Sequence, residues 1–441
     1  MGNAVKRGKM RGVAFRRALF GALLLIMPLL IFMSLIFLSG RIDTSFDRDI
    51  IRAYGDLEAP APKLHAEAAA LYSLDLDSSV YEKNGDKKID PYSITKILTC
   101  YLALNNLDPK QKVVISAKTD EQVYEDGAYL LLFEGEEMTV DDLLHGTMLS
   151  SANDAAYALA ELVAGSEEAF AEMMNEQARE WGCENTNFVN SNGWKHKDHY
   201  TTAHDMAVIA ARCFENEDLR KLSMEEEYSI PATNKFEQRD LFSVFRKSTA
   251  KIDNIICGKT GSWEDDDCSI ALKFSEDNLT AVIVLLRDSL DKRPSDIKKL
   301  KEFSHRVTPG FIAAEEDDKV CKARVKGGSK TETELAIDST LFAYPKDRKA
   351  DSIKVEVENE GIEAPVRAGD SVGTYIVTCD GREIGKGSLI ATEDIEEGWL
   401  LSQFYISDRD SIMGASVIAL VFCLLLIIKA AASRSKHRRK S

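Results

Sequence analysis

Strands at the start of the globular region, helices through its middle and strands again at its close predict an α/β (α+β) fold, one sheet flanked by helices. Short β-rich segments after residue 314 predict a second, small all-β domain. An apolar stretch near each end predicts a transmembrane helix at each end. The expected division is a basic tail at 1–17, a span at 18–38, a stalk at 39–64 and a main domain at 65–312. A β-rich domain at 313–406, a second span at 412–428 and a basic tail at 429–441 complete it.

Composition narrows the classes first. The chain has 441 residues, of which 44% are hydrophobic, so it carries enough apolar surface for a full core and is neither disordered nor a disulfide-stapled miniprotein. With 10 Pro and 26 Gly it is not collagen-like. A net charge of −16 argues against general nucleic-acid binding, because phosphates attract cations. Six basic residues precede the first apolar segment (Lys6 to Arg17) and six follow the second (Lys429 to Lys440), with no acid among either set. Cytoplasmic flanks are enriched in Lys and Arg, so both ends are expected inside and the region between them outside. Setting those twelve charges aside leaves −28 for the rest, so the working domain is strongly acidic.

The elements follow in order. The first apolar run spans 21 residues, longer than the core of a cleavable signal peptide, which favours an uncleaved anchor. The segment around Ala59-Pro60-Ala61-Pro62 reads as the stalk, residues 68–74 as a strand, and residues 81–86 as hairpin-turn chemistry. Helical spacing covers 95–104, 140–145, 154–163 and 167–181; strands are expected at 254–259, 268–274 and 279–286, then a helix at 295–307. Beyond the acidic run Glu315-Glu316-Asp317-Asp318, read as a solvated linker, strands are expected at 320–325, 334–337, 341–344, 353–357, 371–378 and 386–391. The second apolar run has 17 residues, the short end of the spanning range; the competing reading is a buried C-terminal helix.

Eight cysteines show no zinc-ligand spacing. Cys257 and Cys268 flank an expected hairpin and are candidates to face each other, although buried free thiols are the favoured reading. Cys100 falls at an apolar helix position and reads as core. His196 and His199 have HxxH spacing in a polar loop, a weak metal signal.

Three short motifs carry chemistry. Ser93-Ile94-Thr95-Lys96 places a hydroxyl and an amine on one helix face, where a neutral amine lowered by burial and nearby cations could take the serine proton. Ser151-Ala152-Asn153 precedes a helix and, taken singly, reads first as an N-cap. Lys259-Thr260-Gly261 ends an apolar strand, with Lys259 and Thr260 suited to a carboxylate and Gly261 to a close backbone or ligand approach.

The motifs SxxK, SxN and KTG in this order resemble the penicillin-binding-protein and serine β-lactamase superfamily, and most closely the low-molecular-mass D-alanyl-D-alanine carboxypeptidases of peptidase family S11. Leu143-Leu144-His145-Gly146, Asn185 to Asn190 with Gly193, and His199-Tyr200-Thr201-Thr202-Ala203 look like that family's segments, so the likeness covers roughly 65–310; the β-rich tail resembles its C-terminal domain. The resemblance implies a β-lactamase/DD-peptidase-like sheet, Ser93 as acylated nucleophile, Lys96 as its base and Ser151 as proton relay. It also implies Asn153 on the substrate amide, Lys259 as a source of positive potential, Thr260 on the terminal carboxylate, Gly261 beside them in the substrate-binding set, and an oxyanion hole from the amides of Ser93 and Ser262. The implied substrate is a peptidoglycan stem peptide ending in D-Ala-D-Ala, with β-lactam antibiotics as covalent inhibitors, the cell membrane as location, an extracytoplasmic catalytic domain and no metal or organic cofactor. A serine β-lactamase and a catalytically weak wall-binding or scaffolding protein stay open as alternatives. Two departures stand out: Ala152 where the family commonly has Gly, and Ser262-Trp263 followed by Glu264-Asp265-Asp266-Asp267, an acidic turn that would repel an anionic substrate.

Overall fold

Residues 51–55, 59–121, 127–358 and 361–438 are described by a computed structural model of the chain. The first apolar segment, 18–38, lies outside them. The chain divides into two compact units: Ala53–Phe311 with Phe342–Ser352, and Ile312–Leu341 with the described residues from Ile353 on.

The larger unit is built on β1 (Ala68–Ser73), β2 (Ser78–Lys83), β3 (Ile255–Glu264), β4 (Asp267–Glu276) and β5 (Leu279–Asp288). They form one antiparallel sheet in the order β2-β1-β5-β4-β3. Both faces of its central strands are covered, so β5 reads as an almost unbroken apolar run rather than an alternating one. Its side chains still divide by parity, since successive residues point to opposite faces. Val282, Val284 and Leu286 join Ala68, Ala70 and Tyr72 under a layer of helices, while Ala281, Ile283 and Leu285 join Ala69 and Leu71 against α7 (Arg293–Val307). Ala59 and Leu64, within the expected stalk, pack into that second cluster.

The helical layer holds α1 (Lys96–Asn106), α2 (Val140–Met148), α3 (Asn153–Ala164), α4 (Glu167–Glu180), α5 (Ala203–Cys213) and α6 (Glu217–Met224). Local chemistry fixes several ends. Thr139 and Asp142 form a reciprocal capping box on α2, Gly165 closes α3 at φ +81°, and the Ser166 side chain caps α4. Periodicity had no purchase on α5, because it is buried nearly all round and lacks a polar face. The hairpin turn expected at 81–86 lies instead at Asp75–Asp77, where Asp77 takes φ +48°. Residues 81–83 belong to β2, and Asn84-Gly85 merely ends it. Cys257 and Cys268 do not face each other: Cys257 pairs with Lys273 and Cys268 with Ser262. No disulfide joins any of the eight cysteines, all of which lie among the described residues, and Cys100 is fully buried.

The second unit contains β6 (Lys319–Lys326), β7 (Glu332–Ile337), β8 (Ile353–Glu358), β9 (Ile362–Glu363), β10 (Ser371–Cys379) and β11 (Arg382–Ala391). Their order is β8-β10-β11-β7-β6-β9, antiparallel except for the β6–β9 edge. Asp380 and Gly381, at φ +50° and +76°, make the tight turn between β10 and β11 that positive φ at both central positions allows. The expected strand at 341–344 forms as Leu341–Ala343 but stands outside this sheet. After a short 3-10 turn comes α8 (Asp408–Arg438), of which Asp408–Ile428 is long and apolar enough to cross a bilayer. Only 11% of its most apolar window is buried, which disagrees with a buried C-terminal helix.

Candidate active site

Ser93 lies in a 3-10 turn, Tyr92–Thr95, that runs directly into α1. The turn is entered through Tyr92 at φ +55°, a left-handed conformation that costs a non-glycine residue on the order of 1–3 kcal/mol and tends to occur at functional sites. No side chain caps α1. Lys96, the first residue of α1, is shielded from solvent. It is fully buried, with Nζ 2.9 Å from Ser93 Oγ, 2.8 Å from Asn153 Oδ1 and 2.6 Å from the Asn192 carbonyl oxygen. Burial, with the charge of Lys259 beside it, holds the Lys96 ammonium well below the usual lysine range.

The second motif behaves the same way. Ser151 takes φ +61°, the N-cap of α3 is Ala152, and no side chain caps the helix. The Ser151 hydroxyl is turned away to accept a hydrogen bond from Lys259 Nζ at 3.0 Å. Asn153 opens α3 and points its carbonyl at Lys96, while its backbone N–H donates to the Ala128 carbonyl at 2.7 Å. Asp154 beside it is buried and accepts from the amides of Leu130 and Leu132, tying the 128–132 loop to the helix start.

The third motif lies on β3, one of the two edge strands of the sheet. Lys259 is fully buried, and burial pushes its pKa down to about 7. A Cβ at Gly261 would stand 2.8 Å from the Ser93 amide nitrogen and 3.0 Å from the Pro91 carbonyl, so only glycine lets the strand pass this close to the Ser93 turn. Gly193, at φ +81°, is tighter still: a Cβ there would meet the Tyr92 carbonyl oxygen at 1.9 Å.

These segments line one cleft of about 530 Å³, whose walls include Ser93, Ser151, Asn153, Asn192, Thr260 and Ser262. The eight candidate residues are thereby brought together, with Lys96 and Lys259 buried beneath the floor. Asn192 was not singled out in the sequence. It contributes a backbone oxygen, which leaves no side-chain signature, although Asn190-Ser191-Asn192-Gly193 does have turn composition. Its loop is held by Glu167, which accepts from the N–H and hydroxyl of Ser191, and by Thr99, whose hydroxyl donates to the Ser191 carbonyl.

Aromatic rings form one wall. Trp263 packs against Trp194 at 5.2 Å between centroids and stacks on Tyr92 at 6.3 Å, with Lys195 Nζ 5.4 Å from its ring. The Tyr92 hydroxyl donates to Asp267 at 2.6 Å, so one acid of the turn after β3 is engaged, whereas Glu264 lines the cleft. His196 and His199 make no metal site, and no cluster of three or more metal-ligating side chains occurs among the described residues. His199 is buried; its Nδ1 accepts from the Val189 amide at 3.2 Å, which leaves Nε2 to donate to Thr95 Oγ1 at 3.1 Å. Burial lowers its pKa to about 3, keeping the ring neutral.

A family model described as D-alanyl-D-alanine carboxypeptidase matches residues 56–288, more than half of the chain. The chain belongs to the D-alanyl-D-alanine carboxypeptidase family. A model of the penicillin-binding protein 5 C-terminal domain matches residues 313–397. Curated relatives of this carboxypeptidase-family chain are named D-alanyl-D-alanine carboxypeptidases. DacF of Bacillus subtilis is 30% identical over 344 residues, 76% of this chain and 87% of the relative; DacC of Escherichia coli is 28% identical over 353 residues, 77% and 86%. Among solved structures, penicillin-binding protein 5 of Haemophilus influenzae superposes with a TM-score of 0.52 over 77% of this chain and all of that one, at 24% identity, a likeness of fold. The Streptomyces K15 DD-transpeptidase gives 0.52 over 56% of this chain and 98% of that one, at 26% identity.

Proposed function

We propose that the protein is a membrane-anchored serine D-Ala-D-Ala carboxypeptidase that removes the terminal D-alanine of peptidoglycan stem peptides through an acyl-enzyme on Ser93. The observation that carries this reading is the hydrogen-bond count at Lys96. A neutral amine has two N–H bonds, and two fixed acceptors, Asn153 Oδ1 and the Asn192 carbonyl, take both. The lone pair is then left for the Ser93 hydroxyl, 2.9 Å away. Burial favours that neutral form, so the pair is ready for proton transfer.

In the proposed reaction the Lys96 amine takes the Ser93 proton as Oγ attacks the carbonyl of the penultimate D-alanine. The amides of Ser93 and Ser262 hold the developing oxyanion; loss of one such donor costs about 2.7–4 kcal/mol in the serine protease subtilisin. The peptide bond breaks, and the departing D-alanine nitrogen receives a proton through Ser151, whose hydroxyl is bonded to Lys259. Lys259 and Thr260 hold the substrate's terminal carboxylate. Water then cleaves the ester and restores Ser93. Anchoring is ascribed to α8, with the catalytic unit outside the membrane, where the wall peptide is assembled.

The test is D-alanine release from diacetyl-Lys-D-Ala-D-Ala. The wild-type chain should release it, and Ser93→Ala should lose roughly a thousandfold or more. Rapid turnover of penicillin instead of the peptide would mark a β-lactamase, and inertness toward both would mark a binding protein.

A further inference from the structure

Immediately before α8 the chain makes the 3-10 turn Leu400–Phe404, and three large apolar side chains stand out from it: Trp399 is 61% exposed, Leu400 83% and Phe404 57%. The turn's polar groups point the other way. Ser402 is buried, its carbonyl accepts from the Gly327 amide, and its hydroxyl and amide both donate to the Trp399 carbonyl. The Gly398 amide donates to the Gly327 carbonyl, which docks the segment on the end of β6. Asp408 accepts from the Trp399 amide at 2.8 Å and thereby ties the turn to the first residue of α8. A segment fixed this firmly to its own unit, yet presenting three bulky apolar groups within six residues, is built to be covered. The turn ends close in sequence to α8, which begins at Asp408, and exposed apolar side chains resume on that helix at Ile412 and Met413.

We propose that Trp399, Leu400 and Phe404 are an interfacial anchor seated in the headgroup region of the bilayer that α8 enters. The inference rests on the reading of α8 as a membrane span, and continuity with that span identifies the occupant. Indole rings favour the membrane–water boundary, where the ring is apolar and the N–H stays wet. The charges around the turn are mostly acidic: Asp394, Glu396 and Glu397 precede it, and Asp408, Arg409 and Asp410 follow. Asp408 is committed to Trp399, and Asp410 accepts from the Ser407 hydroxyl. Attraction to anionic lipid is therefore not the driving force; burial of apolar area is. Both matched family models end at or before residue 397, so the turn belongs to neither.

The test uses the full chain reconstituted into phosphatidylcholine vesicles, plain or brominated near the top of the acyl chains. Flotation is followed by tryptophan emission of the wild type and of Trp399→Phe, with Trp399→Tyr as a second variant. Penicillin labelling of each variant checks that the catalytic unit is intact. The emission that depends on Trp399 should lose most of its intensity in brominated vesicles and keep it in plain ones. Equal Trp399 emission in both vesicles, with the protein floating, would overturn the interfacial turn and leave the anchor standing. A chain that does not float with the vesicles would overturn the anchor and the turn together.

Discussion

Lys96 and Lys259 are two buried amines in one cleft that the proposed reaction needs in opposite protonation states. Lys96 has to be neutral to accept the Ser93 proton, and burial beside a second cation drives it that way. Lys259 has to be charged to hold a carboxylate, yet burial, aided by the Arg293 charge, brings it down to about 7. For kcat/KM, which reports the free enzyme, activity should rise as Lys96 loses its proton and fall as Lys259 loses its own, with the alkaline limb near 7. Lys259→Arg keeps the charge at all working pH values, so the limb should move up by at least about one pH unit, even if the rate drops. An unmoved limb in the pH profile of D-alanine release would remove Lys259 from that role. Much of this was open to reading at the sequence level, because Ser93, Lys96, Ser151 and Lys259 announce themselves by side-chain type and spacing. Asn192 did not, since its part is played by a carbonyl oxygen that any residue carries. The left-handed backbones of Tyr92 and Ser151 were equally silent, because neither residue type marks positive φ.

At the scale of elements, the site depends on how closely β3 passes the Ser93 turn. Gly261 lets the two backbones meet, and a methyl group there must push them apart. Gly261→Ala should cut the rate of acylation by fluorescent penicillin about a hundredfold, a loss of the size that misplacing reacting groups by about 1 Å produces, with thermal unfolding little changed. Retained acylation would mean that the strand can retreat without consequence. The elements themselves were legible in proportion to their patterning. β5 and β4 have long apolar runs and stood out, as did α4 with its one-sided spacing. α5 is buried on all sides and α6 is short and polar, so neither offered a periodic stripe. The hairpin between β1 and β2 was misplaced because Asn84-Gly85 is the stronger turn dipeptide, whereas the real turn uses Asp75-Leu76-Asp77, stabilised by the Tyr72 hydroxyl donating to Asp77 at 2.7 Å.

For the whole molecule, every residue lining the cleft falls between Tyr92 and Glu264, inside the larger unit, while the apolar helix belongs to the other. Chemistry and anchoring should therefore separate: a chain ended at Ser407 should be labelled by fluorescent penicillin at the wild-type rate, and a large loss of labelling would tie α8 to the site. Charge patterning gave a topology with both basic flanks inside, and α8 is the part of it visible in the described residues. The account as a whole stands on three distant segments meeting to make one acylating serine. Peptide mapping by mass spectrometry after reaction with penicillin addresses that most directly. The account predicts a single penicilloyl adduct on the peptide that contains Ser93, absent from Ser93→Ala and greatly slowed in a Lys96→Met chain. An adduct on another residue, or one that persists after Ser93→Ala, would contradict it.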